Sequence, residues 1–335
     1  MYGKTFKTLA LAALAFSFAG EALAVEWNVS LWGKRRAFTE NTEKLAELVA
    51  AKTNGEFTLN ISYGGLSKNK ENLDGIAIGA FEMAQFCAGY HRDKNPTITV
   101  MELPFLGMGD LRQEVEVSMA LYDHPAVVKD LARWNARLLM PSAMPQYNLA
   151  GVGEAPASLK DLEGQRVRAT GGIGEAMKVL GAVPTSMTAT EVYNALESGV
   201  IDSVTFAPHA HVAFRVVDIA DWWTTNLNPG TLNCPVVVNT DALAGLSDAH
   251  REALLGSVDE AMEYYVANYN AKAQAKLDAK IAERGMTKVT FDPAEIAAAK
   301  AKIAEPAAKK WIANMESQGV PGQELYDFVR ERIDG

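Results

Sequence analysis

The 335-residue sequence lacks the motifs that most secreted hydrolases and metal enzymes require. It contains no GxSxG nucleophile elbow and no HExxH zinc motif. Basic residues are also too few for a cationic surface, because 32 Lys and Arg face 41 Asp and Glu and the net charge is -9. Nucleic acid and anionic membrane surfaces are therefore not expected as partners. Acid–base chemistry by scattered carboxylates stays open.

Long apolar runs are absent from the sequence after the amino-terminal segment. None of the later runs approaches the roughly 18 residues of a membrane helix. The first 24 residues differ, with a basic start, "MYGKTFK", and an apolar run, "TLALAALAFSFAG". Ala22 and Ala24 then stand in A-x-A spacing. An amino-terminal membrane anchor is the alternative, but the run is short for spanning a bilayer. The pattern predicts a signal peptide at residues 1–24, cleaved after Ala24.

Cysteine is scarce, with only Cys87 and Cys234 in the chain, in neither a CxxC pair nor a zinc spacing. In an exported protein the two can form a disulfide. They can equally be small buried apolar residues. If Cys87 ends a strand and Cys234 begins its antiparallel neighbour, they come within bonding range. The sequence leaves both alternatives open.

Alternating strand and helix patterns fill most of the chain and predict two α/β units, each with a sheet between helices. We expect lobe one at residues 25–147, with a return strand at about 234–240. We expect lobe two at residues 148–232. Residues 241–335 should form a long helix and carboxy-terminal helices that pack on both lobes. Two such units bind ligands in the cleft between them.

Two arginines stand out in the stretch "LEGQRVRAT", where Arg166 and Arg168 lie two apart on a predicted strand. Residues at this spacing point to the same face of a strand. A guanidinium is a planar fork that matches a carboxylate. The following "TGGIGEA" opens a helix, whose free N–H groups also favour anions. The alternative is that both arginines are ordinary surface residues.

Two histidines, His209 and His211, lie two apart in "APHAH". On one strand face they could ligate a metal. No further cluster of ligands accompanies them, so a loop with solvated or hydrogen-bonded imidazoles is the simpler interpretation. We predict neither a metal site nor another cofactor.

A resemblance emerges from the segment "SLKDLEGQRVRATGGIGEAMKVLGAVPTSMTATEVYNALESGVIDSV". It resembles the central signature of TRAP-transporter substrate-binding proteins of the DctP type. "GAFEMAQFCAGY", "MELPFLG" and "VVVNTDALAGLSDAHREAL" resemble other segments of that family. The resemblance implies a two-lobed periplasmic binding protein fold, type II-like, with a long helix bracing both lobes. It also implies a periplasmic monomer, not an enzyme, that closes on a small organic acid and delivers it to TRAP membrane permease subunits.

The resemblance assigns unequal roles to the two arginines. Arg168 matches the arginine that clamps the ligand carboxylate in this family, whereas Arg166 matches a surface position. A twist or bulge would be needed to separate their side chains. The chain departs from the family where Phe206 replaces a pocket asparagine and where Gln146, Tyr147 and Asn148 occupy a junction that holds an arginine in some members. The candidate ligand-binding residues are Arg168, Trp32, Tyr147, Phe206, Trp223, Asn228, Cys87 and Tyr90.

Aromatic residues dominate these candidates, and aromatic faces suit an apolar group or a cation. We therefore expect a monocarboxylate with an apolar remainder in preference to a C4 dicarboxylate. A betaine- or sulfoniopropionate-like zwitterion ranks second. Lys34, Arg35 and Arg36 complicate this, since one of them could bind a second anion, although we expect them at the surface. One of Trp222 and Trp223 must point into the core.

Two other classes of protein fit the same cleft. A secreted enzyme could use His209 or Asp202 as a base. A chemosensory ligand receptor would need the same fold. Turnover of an organic acid would separate the enzyme from the binding protein.

Overall fold

The computed structural model describes residues 24–90 and 92–335, so the predicted signal peptide lies outside the described residues except for Ala24. The described strands are short, with three to seven residues each. They are β1 (Val25–Leu31), β2 (Phe57–Tyr63), β3 (Met83–Gln85), β4 (Ala136–Pro141), β5 (Asn148–Gly151), β6 (Arg166–Arg168), β7 (Val183–Thr185), β8 (Ser203–Phe206), β9 (Trp222–Thr224), β10 (Pro235–Asn239) and β11 (Thr287–Val289).

Helices separate the strands and cover the faces of the sheets. Within the described ranges none has the length and hydropathy that crossing a bilayer demands. They are α1 (Glu40–Lys52), α2 (Asn72–Ala77), α3 (Leu111–Tyr122), α4 (Pro125–Ala132), α5 (Gly171–Val179), α6 (Val192–Glu197), α7 (Pro208–Ala213), α8 (Thr240–Gly245), α9 (Asp248–Leu255), α10 (Val258–Arg284), α11 (Pro293–Ser317) and α12 (Gly322–Asp334).

The strands form two sheets, each the centre of one lobe. Lobe one has the order β2-β1-β3-β10-β4, and lobe two has the order β11-β9-β5-β8-β6-β7. In lobe one β1 is parallel to β2 and β3, while β10 is antiparallel to β3 and β4. In lobe two β6 is parallel to β7 and β8. The two-lobed α/β fold expected from the sequence is confirmed.

Buried apolar side chains from the expected patterns build the core of lobe one. Leu45, Leu48 and Val49 lie at helical spacing on α1 and are buried against β1 and β2. Trp27 of β1 meets Phe57 of β2 edge to face, with ring centroids 5.0 Å apart. Such rings remove large apolar areas from water and stabilise the sheet to which they belong.

Helix α10 braces the two lobes over its 27 residues. The Tyr265 hydroxyl donates to the backbone carbonyl of Ala143, next to lobe one, at 2.5 Å. One turn later, the Tyr269 hydroxyl is hydrogen-bonded to Nδ1 of His209, in lobe two, at 2.6 Å. Further along, Leu277 and Ile281 enter the core of lobe two. The long bracing helix expected from the sequence is therefore present.

The predicted helical region after Asp248 is interrupted once. Helix α9 ends at Leu255, and Gly256 and Ser257 separate it from α10. Glycine is a common helix end because it loses more backbone freedom in a helix than other residues. Helix α10 itself ends at Arg284 and is capped by Gly285, whose φ of 63° is the left-handed conformation that glycine adopts without strain.

The two cysteines form a disulfide. Cys87 follows β3 and Cys234 precedes β10, and these strands are antiparallel neighbours. Neighbouring antiparallel strands bring residues at such positions close together. Of the two alternatives that the sequence left open, the structure contains the covalent one.

Candidate functional site

A closed pocket lies between the lobes, and we call it the interlobe pocket. Its volume is about 20 Å³, room for roughly one water molecule. A ligand of several carbon atoms therefore requires the surrounding side chains or the lobes to move apart. The lining residues are mostly aromatic or apolar: Trp32, Phe38, Cys87, Tyr90, Met144, Tyr147, Arg168, Ala189, Phe206, His209, Ala210, Phe214 and Leu232.

Arg168 ends strand β6, and only 1% of its surface is exposed. Its Nε and Nη2 atoms donate to the backbone carbonyl of Met187, and Nη1 donates to that of Thr205. Nη2 also donates to the Tyr90 hydroxyl of lobe one at 3.1 Å. The guanidinium carbon lies 4.7 Å from the ring centroid of Phe206. Carbonyl dipoles and an aromatic face thus hold a buried positive charge without neutralising it.

Arg166, two residues earlier, has a different environment. Its side chain is 48% exposed and pairs with Asp202. The expected bulge between the two arginines is not found, because β6 pairs with β7 and β8 in an unbroken register. The two side chains have different environments because the residues lie at opposite ends of the strand. Arg166 starts the strand near solvent, whereas Arg168 stands at its carboxyl end, where parallel strands meet the cleft.

Arg36 is the second buried cation beside this pocket. Its Nη1 donates to the backbone carbonyls of Trp32 and Lys34 at 3.0 and 2.6 Å. Its guanidinium carbon lies 4.3 Å from the Trp32 ring centroid and 4.7 Å from that of Phe38. Phe214 of lobe two is 5.5 Å away. All three rings line the interlobe pocket, so Arg36 adds positive charge to it from lobe one.

The expectation that the run of basic residues is at the surface was wrong for Arg36. Only 8% of Arg36 is exposed, whereas the Arg35 side chain is 58% exposed and pairs with Glu40. Burial lowers the pKa of Arg36 to about 10, so the side chain stays charged at neutral pH. After Arg36 the chain continues inward and buries Phe38.

Three candidate residues from lobe one and the junction line the interlobe pocket. Tyr90 accepts from Arg168 and from the backbone N–H of Ala189 at 3.2 Å, so it links the lobes. Trp32 packs edge to face on Tyr90, with ring centroids 6.1 Å apart. Tyr147 is buried, which raises the pKa of its hydroxyl well above the ordinary value of 10. The pocket surface is therefore neutral apart from the arginines.

The two histidines lie on helix α7, where the sequence had suggested a strand or a loop. His209 stacks on Phe38 at 5.5 Å, and its Nδ1 is engaged with Tyr269. Nε2 of His211 lies 3.3 Å from the backbone carbonyl of Asn148. Burial lowers the pKa of both imidazoles, to about 4 for His211. Over the described ranges, no group of three or more His, Cys, Asp or Glu side chains is arranged to hold a metal ion.

Trp223 and Asn228, also predicted to bind ligand, line a different cavity, which we call the hinge cavity. Met144 of the junction lines both cavities, with the interlobe pocket on one side of it and the hinge cavity on the other. The volume of the hinge cavity is about 370 Å³. Trp222 instead packs in lobe two against Gly151, where an added Cβ would come within 2.3 Å of the ring. The hinge cavity is lined by Met108, Gly109, Asp110, Glu114, Met144, Pro145, Gln146, Asn148, Pro208, Trp223, Thr225, Asn228 and Gln274.

Two acidic side chains, Asp110 and Glu114, line the hinge cavity. Neither carboxylate oxygen of Glu114 has a hydrogen-bond partner within the described part of the chain, and the side chain is 1% exposed. Burial, followed by the charge of Glu102, raises the pKa of Glu114 to about 8. Asp110 caps α3 by accepting from the Gln113 N–H. Among the described residues, no lysine or arginine lines this cavity, so it offers a carboxylate ligand no positive charge, whereas Arg168 lines the interlobe pocket.

Comparison with known proteins agrees with this architecture. Residues 29–314 match the family described as bacterial extracellular solute-binding protein, family 7. The C4-dicarboxylate-binding periplasmic protein of Rhodobacter capsulatus is 26% identical over 229 residues, 66% of each chain.

Two solved structures share the fold. One is an extracytoplasmic solute receptor of Bordetella pertussis that binds pyroglutamic acid, with a TM-score of 0.78 and 23% identity over 92% of this chain and 100% of that one. The other is a marine metagenome TRAP solute-binding protein specific for aromatic acids, crystallised with 3-hydroxybenzoate. It has a TM-score of 0.84 and 20% identity, and the match covers 93% and 98% of the two chains.

Proposed function

The chain belongs to family 7 of the bacterial extracellular solute-binding proteins, and we propose that it captures a small monocarboxylate in the interlobe pocket. The bound solute would then pass to the membrane permease subunits of a TRAP-type transporter. The site of action is extracytoplasmic, as in the family. We propose that the protein works as a monomer, reaching this compartment through the signal peptide predicted at residues 1–24.

The observation that carries the proposal is the environment of Arg168. Its guanidinium is buried, and none of the described carboxylates pairs with it. Burying an unpaired charge costs several kcal/mol, which an anionic ligand offsets. Of the five N–H groups of an arginine, four here bond to carbonyls or to Tyr90. One N–H on Nη1 remains for a ligand.

A carboxylate gains a second contact if it takes the place of the Tyr90 hydroxyl on Nη2. That exchange would leave the bonds to Met187 and Thr205 intact, and these bonds hold the guanidinium plane in position. Tyr90 belongs to lobe one and Arg168 to lobe two. The ligand would therefore replace a direct bond between the lobes by a bridge through its own carboxylate.

The remainder of the ligand would lie among Trp32, Tyr147, Phe206 and Phe214. These rings favour an apolar or aromatic group. An onium group, as in a betaine, would lie beside two guanidiniums with no described carboxylate lining the pocket. A zwitterion is thus disfavoured. The marine metagenome protein of the same fold is specific for aromatic acids, which supports an aromatic monocarboxylate.

A ligand screen tests the proposal. Melting temperatures of the mature protein would be measured with benzoate and hydroxybenzoates, aliphatic 2-oxo acids, betaines, succinate, malate and fumarate. A ligand at 100 times its dissociation constant stabilises a protein by about 2.7 kcal/mol. We expect shifts with the monocarboxylates. Shifts only with the C4 dicarboxylates would contradict the monocarboxylate assignment.

Two further measurements address the other protein classes and the expected motion. Incubation with each bound acid should leave it unchanged, because product formation would indicate an enzyme. Small-angle X-ray scattering should show a smaller radius of gyration with saturating ligand, as the lobes of residues 25–147 with 234–240 and of residues 148–232 close about the junctions. An unchanged radius would argue against closure.

A further inference from the structure

A cluster of unsatisfied N–H donors lies on the lobe-one side of the interlobe pocket. Nε and Nη2 of Arg36 and Nε1 of Trp32 are buried and have no hydrogen-bond partner among the described residues. No described carboxylate pairs with Arg36 either, so its charge is not neutralised. Buried donors without acceptors are rare in native proteins because each costs stability.

The rings around Arg36 show where an acceptor would have to come from. Trp32, Phe38 and Phe214 all lie within 5.5 Å of its guanidinium carbon, and all three line the interlobe pocket. The backbone side of the guanidinium is already occupied, because Nη1 donates to the carbonyls of Trp32 and Lys34. The interlobe pocket, whose rings surround the guanidinium, is thus a route by which an acceptor could reach Nε or Nη2, between aromatic faces.

Arg168 and Arg36 approach this space from opposite lobes. Between them stand Phe206, whose ring contacts Arg168, and Phe214, whose ring contacts Arg36. The centroids of these two rings are 5.6 Å apart. A molecule that meets both guanidiniums must span an aromatic gap and carry an oxygen at each end.

We propose that Arg36, together with Trp32 Nε1, binds a second oxygen of the ligand, which makes the ligand an aromatic monocarboxylate with an oxygen substituent on its ring. The carboxylate lies on Arg168, the ring lies against Phe206 and Phe214, and the substituent accepts hydrogen bonds from Arg36. This inference rests on the proposed function, because it assigns the carboxylate to Arg168.

A ligand series crossed with variants of Arg36 tests the inference. Dissociation constants for benzoate, 3-hydroxybenzoate and 4-hydroxybenzoate would be measured by calorimetry on the wild-type protein and on Arg36→Gln and Arg36→Lys. The matched control is Arg35→Gln, since Arg35 is exposed and pairs with Glu40. Circular dichroism and melting temperature would show that each variant folds. Benzoate serves as the internal control, because it has the carboxylate without the second oxygen.

The wild-type protein should bind one of the hydroxybenzoates about 10- to 100-fold more tightly than benzoate, the range of a hydrogen bond to a charged group. Arg36→Gln should reduce that advantage to less than threefold while benzoate affinity changes little. Arg36→Lys should retain part of it, and Arg35→Gln all of it. If Arg36→Gln fails to fold, the affinities of the wild-type protein for the three acids test the inference on their own.

Equal wild-type affinity for all three acids overturns the inference. So does an advantage that persists in Arg36→Gln, or a loss of benzoate binding as large as the loss of hydroxybenzoate binding, which would indicate that Arg36 only holds the lobes together. If other monocarboxylates bind and no aromatic acid does, the inference fails while the proposed function stands. If no organic acid binds at all, the proposed function itself fails.

Discussion

The interlobe pocket and the hinge cavity lie on either side of Met144 and differ in both size and charge. The interlobe pocket, at about 20 Å³, is walled by rings and by the buried cation Arg168, and a second buried cation, Arg36, lies against its lobe-one rings. The hinge cavity, at about 370 Å³, is walled by amides and contains the carboxyl groups of Asp110 and Glu114. Of these two cavities, as the described residues line them, only the interlobe pocket offers buried positive charge to an organic anion.

The difference teaches that buried, unpaired positive charge identifies the site better than volume does. A cleft between two lobes narrows as the lobes close, so a small volume does not argue against a binding site. Desolvated charges act strongly at short range because little water screens them. The predictions that follow alter one charged or polar group at a time, on one side of the junction or the other.

The largest expected effect comes from removing the cation of lobe two. Arg168→Ala should weaken binding of the best monocarboxylate by about 100-fold or more, since truncating one partner of a buried charge pair costs several kcal/mol. Calorimetry measures the loss. Circular dichroism checks that the fold survives the unpaired carbonyls of Met187 and Thr205.

Arg166→Ala is the matched control for this change. Arg166 stands two residues earlier on β6, is 48% exposed, and pairs with Asp202 away from the pocket. Exposed pairs contribute little, typically below about 1 kcal/mol. Affinity should therefore change less than threefold. A larger loss from Arg166→Ala than from Arg168→Ala would mean that the two roles are reversed.

Much of the interlobe pocket could be predicted from the sequence because it is built at strand ends. The resemblance to the family points to Arg168, Tyr147 and Phe206, and all three lie in or directly beside strands. Such positions follow from local alternation and from the rule that clefts form at the ends of strands in α/β proteins. The two-lobed fold followed from the order of strands and helices.

Other features could not be predicted because they depend on the tertiary arrangement. The sequence gives no sign that Arg36 is buried and Arg35 exposed, because that depends on how the loop after β1 packs against Phe214 of lobe two. Trp223 lies within β9 and Asn228 follows that strand, yet both line the hinge cavity. Which side of a hinge a strand end faces is decided by sheet order, which local patterns do not encode.

A smaller effect, on stability, is expected from neutralising the hinge cavity. Burial raises the pKa of Glu114 to about 8, above its ordinary value of 4.5. This group therefore contributes stability at acid pH that is lost as pH rises through the folded-state pKa. Glu114→Gln, neutral at every pH, should melt near the wild-type temperature at pH 5 and several degrees above it at pH 8.

The control for Glu114→Gln is Glu116→Gln, an exposed position on the same helix α3. Its melting difference from wild type should not vary with pH. Ligand affinity should be unchanged in both variants, because the hinge cavity is not the proposed site. A melting difference for Glu114→Gln that shrinks between pH 5 and pH 8 would contradict the raised pKa.

A loss of about five- to tenfold in affinity is expected from Tyr90→Phe. When a carboxylate takes the place of the Tyr90 hydroxyl on Nη2 of Arg168, that hydroxyl still accepts from Ala189, and its own O–H is free to donate to a carboxylate oxygen. One such hydrogen bond is worth roughly 1 kcal/mol. Calorimetry on Tyr90→Phe and on Tyr147→Phe compares the two hydroxyls. Tighter binding by Tyr90→Phe would show that this hydroxyl only competes with the ligand for Arg168.

The smallest effect is expected from Asn228→Ala, and it tests whether the two cavities are independent. Asn228 is exposed and accepts from Nδ2 of Asn148 at 3.2 Å, on the hinge-cavity side. Asn148 Nδ2 also donates to the backbone carbonyl of Thr224, so it keeps an acceptor after the change. Affinity for the monocarboxylate should change less than twofold, because no charge or ring of the interlobe pocket is disturbed. A tenfold loss in calorimetry would place the ligand in the hinge cavity, or couple the two cavities through the junction, and would end the distinction drawn between them.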